Sequence, residues 1–121
     1  MVNPKYQEIL KLHVMLLDKD IPHVIERDLD GWHISYPWVG KERVLSAVEF
    51  KGTHGAEQDL IEIMGLLTPG EFLMDSVKGY LTAENVFDRI KRHYEEHKDE
   101  YYIYERAISY DCWRGKEKSN G

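Results

Sequence analysis

Asp30, Glu49 and Lys51 are the residues whose types and spacing could do hydrolytic chemistry in this chain. Glu49 and Lys51 are two apart, so on a strand they share a face. Glu8 adds a further acid near the N-terminal end. Hard divalent cations take carboxylate oxygens, and a bound metal turns water into an attacking hydroxide. The same residues also have a plainer explanation. Asp30 suits a tight turn, and Glu and Lys at strand ends discourage edge pairing.

Other groups could also carry chemistry. Gly52-Thr53-His54-Gly55 is a glycine-bounded loop, and backbone amides at a helix start can hold an anion. It lacks the Gly-x-x-x-x-Gly-Lys pattern, and Glu57 and Asp59 would repel a phosphate. His93 and His97 stand four apart, a metal-compatible spacing on a helix, but without the His-Glu-x-x-His order. His23 and His33 could meet across a hairpin. No Gly-x-Ser-x-Gly element is present, so the sequence supports no Ser-His-Asp reading. Cys112 is the single cysteine, which excludes an intrachain disulfide and a cysteine zinc site.

Aromatic residues form the third set. Trp32, Tyr36 and Trp38 cluster on one hairpin, and Tyr101, Tyr102 and Tyr104 crowd the C-terminal third. Tyr and Trp are favoured interface anchors because they bury large area with few rotatable bonds. Single-stranded nucleic acid would need a cationic groove beside them, yet Lys91, Arg92 and Arg106 are interleaved with acids. The formal net charge of -6 also argues against nucleic acid. These six aromatics are therefore read as a surface for a protein partner or for homo-oligomerisation.

Elements must position these groups. The 121 residues suggest one domain over 1–113, with 114–121 a polar, disordered tail. Asn3-Pro4 starts a first helix, whose stripe is Tyr6, Ile9, Leu10, His13, Leu16 and Leu17. His23 to Leu29 alternates as a strand, Asp30-Gly31 reads as a two-residue hairpin turn, and Trp32 to Tyr36 returns. A third strand runs from Arg43 to Phe50, with Val44, Val48 and Phe50 on one face. Ala56, Leu60, Ile63 and Leu67 suggest a second helix over 56–67. Glu71 to Asp75 reads as a loop, and Ser76 to Tyr80 is a candidate fourth short strand. Thr82 caps a third helix running to about Lys98, and 101–113 fits either strand or helix. The expected fold is α+β: a three-stranded antiparallel meander packed with three helices, in the order α-β-β-β-α-(β)-α.

That order resembles the core of the PD-(D/E)xK nuclease superfamily over roughly Asn3 to Tyr80. The resemblance implies that Asp30 and Glu49 hold Mg2+, that Lys51 positions or activates water, and that Glu8 is an accessory acid. No proline precedes Asp30 as the superfamily motif would have it. A second resemblance rests on Leu60 to Leu67, Gly79 to Glu84 and Val86 to Ile90, with Asp30-Gly31 and Tyr36-Pro37. Over residues 4 to 98 the chain is similar to small bacteriophage and prophage proteins. That likeness implies no established activity, cofactor or catalytic residue, only a small binder of host or phage machinery.

Two functions are expected. The first is a non-enzymatic, cytoplasmic protein-binding or self-associating module without cofactor, in one form an acidic inhibitor filling the DNA groove of a host enzyme. The second is a minimal or degenerate Mg2+-dependent nuclease using Asp30, Glu49 and Lys51. No run is apolar and long enough for a membrane span, and no signal peptide is evident at Met1.

Overall fold

Alternating side chains build a five-stranded antiparallel sheet in which each strand pairs with the next in sequence. The computed structural model describes the backbone of residues 5–120 and the side chains of residues 5–101. The strands are β1 (Val24–Asp28), β2 (Gly31–Tyr36), β3 (Leu45–Glu49), β4 (Ile61–Met64) and β5 (Val77–Leu81). Three helices complete the fold: α1 (Gln7–Asp18), α2 (Pro69–Met74) and α3 (Ala83–Asn120). The α+β meander is as expected, with five strands rather than three or four.

One face of the sheet carries the core. Ile34 and Tyr36 of β2, Leu45 and Ala47 of β3, and Ile61 and Ile63 of β4 are all buried there. Ile9, Leu12 and Leu16 of α1 and Val86, Phe87 and Ile90 of α3 close over them, so two amphipathic stripes share one roof. Thr82 caps α3 as its sequence position suggests, its hydroxyl accepting from Asn85 N–H at 3.2 Å. The stretch 101–113 is helical, and α3 continues to Asn120.

Four expectations need correction. The β1–β2 turn is Leu29-Asp30, one residue earlier than Asp30-Gly31. Asp28 pairs with Gly31, which is already the first residue of β2. Leu29 takes the positive φ of 50°, while Gly31 is needed for space. A Cβ there would stand 1.9 Å from the Glu49 carbonyl oxygen. Second, the buried face of β3 is Leu45, Ala47 and Glu49, and Val44, Val48 and Phe50 are only half-buried.

Third, no helix spans 56–67. A 3-10 turn covers Ala56–Gln58, and β4 follows. Gly55, Asp59 and Gly65 all have positive φ, which breaks any helix through them. The apolar residues at 61 and 63 are spent on strand alternation, with Ala47 opposite Ile63. Fourth, the expected loop at 71–75 is instead mostly α2, which holds a capping box between Thr68 and Glu71.

Candidate functional site

The expected catalytic acids lie at one end of the sheet, and protein donors occupy them. Asp30 Oδ1 accepts the Lys51 backbone N–H at 2.8 Å, and Oδ2 accepts the Tyr6 hydroxyl at 2.8 Å. Those bonds hold its carboxyl below the usual carboxylate range, the Lys51 amide contributing most. Glu49 is fully buried, and its Oε1 accepts Ile9 N–H at 3.0 Å. Burial first, then the neighbouring Asp59, pushes its carboxyl up to about 8. Asp59 beside it favours the protonated carboxyl, and an ionised Glu49 would leave its buried Oε2 with no donor to receive.

These acids do structural work at helix ends. Tyr6, the N-cap residue of α1, makes no side-chain cap bond and sits at φ 63°. Glu49 from β3 and Asp59 from the 3-10 turn satisfy the Ile9 and Glu8 amides instead, the latter at 3.0 Å. Glu8 in turn accepts Ala83 N–H at the start of α3. Lys51 is exposed. It lines an open pocket of about 660 Å³ with Lys5, Asp30, Gly52 and Asp59. Among the described residues no group of three or more His, Cys, Asp or Glu could hold a metal ion.

The aromatic set divides. Tyr36 is fully buried, and its ring meets His93 and Tyr101 edge-on at 5.6 and 6.0 Å. Its hydroxyl lies 3.0 Å from His93 Nδ1. Trp38 meets Tyr101 edge-on at 5.7 Å. Trp32 is half-buried against the core, with the Arg27 guanidinium 4.8 Å from its ring centre. Tyr102 and Tyr104 lie outside the residues whose side chains are described. His93 and His97 stack at 4.3 Å, and burial holds His93 below the ordinary histidine range. His23 does not meet His33; its Nε2 lies 2.8 Å from His13 Nδ1. His54 pairs with Glu62 at 2.7 Å, so an acid already occupies the loop read as a possible anion site.

Two arrangements were not legible in the sequence. The first is α2, in which no residue is buried. Phe72, Leu73 and Met74 are 65, 84 and 87% exposed. Met74 and Tyr80 line one shallow pocket, and Val77 on its wall pairs with the exposed Met64. Yet α2 is anchored firmly. Arg89 of α3 donates to both Glu71 carboxylate oxygens at 2.8 Å and to the Leu66 carbonyl at 3.0 Å. The Arg89 guanidinium holds Glu71 down at about 2.

The second lies on the sheet face turned away from α1 and α3. His33 Nε2 is 2.6 Å from Ser46 Oγ, and its Nδ1 is 3.7 Å from Asp28 Oδ2. Register places these residues on neighbouring strands β1, β2 and β3, with Glu26 opposite His33 and Ser35 opposite Ser46. Arg43 donates to Ser35 Oγ at 3.4 Å. A signal for half of this was available. A β-hairpin with known turn puts Asp28 and His33 on one face, but the third strand's register is not readable from sequence.

The fold therefore defines an α+β domain whose five-stranded antiparallel meander is covered on one face by packed N- and C-terminal helices. Comparison with family models, curated proteins and solved structures returns no match. No helix among the described residues is long and apolar enough to cross a membrane.

Proposed function

We propose that this chain is a protein-binding module that docks through α2. The observation that carries the reading is the contrast between anchoring and exposure. Three consecutive large apolar side chains point to solvent from a helix fixed by a bidentate Arg89–Glu71 pair and a capping box. A disordered loop would lose entropy on docking, whereas a fixed ridge has little left to lose. Large exposed apolar patches on soluble domains commonly mark interaction sites.

The occupant is an apolar groove on another protein or on a second copy. The phage-like resemblance agrees with a small binder, and the ridge favours apolar docking over an acidic imitation of DNA. The nuclease reading has less support, because Asp30 and Glu49 already serve protein amides and a hydroxyl.

The test is a photo-crosslinking residue at position 74, which is equally exposed, placed in the parent chain and in each variant, and read with sedimentation velocity of the purified chain. Self-association predicts dimers that Leu73→Asp converts to monomers. A heterologous partner predicts a cross-linked species from the native cell that is lost in Leu73→Asp. The reading fails if Leu73→Asp and Phe72→Ser keep every association of the parent chain.

A further inference from the structure

We propose that Ser46 is a nucleophile activated by His33 and oriented through Asp28, able to take an acyl group from small activated esters. This site is independent of α2, lying on β1 to β3 rather than beside β4 and β5.

The geometry assigns each role. The Asp28 carboxylate near His33 Nδ1 favours a proton on that nitrogen, which leaves Nε2 as the acceptor for the Ser46 hydroxyl. Nucleophile, base and orienting acid thus occur in the order that acyl-transfer sites require. Orienting contacts of this kind are often loose before substrate arrives, which covers the 3.7 Å separation of Asp28 from His33. His33 is 22% exposed at its side chain, sheltered yet reachable.

The groups facing His33 come from three places: Glu26 and Asp28 on β1, Ser46 on β3, and Arg43 in the segment before β3. Burial and the Arg43 charge hold His33 below the ordinary histidine range, so the imidazole is neutral near pH 7 and competent as a base. Arg43 also reaches Ser35, directly opposite Ser46, and places a positive charge beside the position where an oxyanion would form.

Ser46 Oγ bonds to the ester carbonyl carbon, its proton passes to His33 Nε2, and the carbonyl electron pair moves onto oxygen. The pair returns, the bond to the alkoxy group breaks, and the leaving oxygen takes the proton from His33. Water then attacks the acyl group with His33 again as base, releasing a carboxylic acid and restoring the Ser46 hydroxyl. The site's backbone amides are largely committed to the sheet ladder, so one guanidinium carries the oxyanion. That limits the substrates to esters with good leaving groups, such as aryl esters.

Two probes test this on the full chain: p-nitrophenyl acetate for turnover, and an alkyl fluorophosphonate for labelling. In labelling, an O–P bond forms at Ser46, the P–F bond breaks, and fluoride and a proton leave. The expected result is one mass adduct, mapped to Ser46 and absent from Ser46→Ala. His33→Gln should slow labelling about a hundredfold, and the parent rate should rise with pH to a plateau as His33 loses its proton. Circular dichroism checks that each variant folds, and Asp28→Asn gives a milder perturbation with the same expected direction. No adduct at Ser46, or an equal rate in folded His33→Gln, overturns the proposal.

Discussion

Replacing Glu49 with Gln should change how stability depends on pH far more than it changes stability near pH 5. The carboxamide keeps an oxygen for the Ile9 amide and, like the protonated acid, carries no charge to repel Asp59. The carboxyl is pushed up to about 8 in the folded chain from an ordinary 4.5. Between those values the folded chain holds a proton that the unfolded chain has released. Stability must then fall as pH rises, by about 1.4 kcal/mol per pH unit, and level off above about 8. Over the whole window the loss is roughly 5 kcal/mol. Glu49→Gln lacks this titration. Urea unfolding followed by tryptophan fluorescence at several pH values from 5 to 9 gives both curves. Their difference cancels the histidines and the exposed acids, which titrate alike in both chains. The gap should widen in favour of Glu49→Gln as pH rises. Parallel curves would refute the reasoning, since they would mean that Glu49 ionises normally where it lies.

Other perturbations read other parts of the fold. Arg89→Ala should cost about 1–3 kcal/mol by removing charge-assisted bonds to Glu71, and hydrogen exchange should show faster opening at α2 amides first. Glu71 is held down at about 2, so the stability that it contributes is complete above pH 4.5 and is lost as pH falls through 2. Exchange at pH 4 should therefore still show α2 protected. Gly31→Ala should destabilise by about 3 kcal/mol or more, because its Cβ would collide with the Glu49 carbonyl and backbone must shift. Thermal unfolding measures it, and a near-neutral result would refute the close approach. Leu73→Asp should move stability by no more than about 0.5 kcal/mol, since residue 73 is exposed.

Local signals were legible where one element decided the outcome. The Thr82 cap, the first hairpin and most of the α1 stripe follow from nearest-neighbour chemistry, but the hairpin turn lies one residue earlier than expected, and on α1 Leu12 is core while Leu17 is exposed. The 56–67 stretch is ambiguous because Leu60, Ile63 and Leu67 fit helix spacing while Ile61 and Ile63 fit strand alternation. The choice was made by β3, whose Ser46 and Ala47 need partners and find Met64 and Ile63. Glu49 was legible as an acid at a strand end but not as a buried one. Its burial depends on Ile9 and Asp59, which are distant in sequence. Among the residues read as binding anchors, Tyr36 is core, and its neighbours Trp38 and Tyr101 pack beside it. Phe72, Leu73 and Met74 carry no sequence signal, because an apolar triplet in a short polar break gives no period to detect. The Asp28, His33 and Ser46 set needed the register of three strands at once.

Borrowed caps tie the helices to the finished sheet. Glu49 reaches 40 residues back to α1, Asp59 reaches 51, and Glu8 reaches 75 forward to α3. A peptide holding α1 alone would leave its first amides bare and should be largely unstructured in water. The first turn of α1, which has no cap of its own, can then settle only after distant segments have closed, and melting should take α1 and sheet together. A nick in the loop after β3 would separate Asp59 from α1 without cutting either helix, yet should unravel the start of α1.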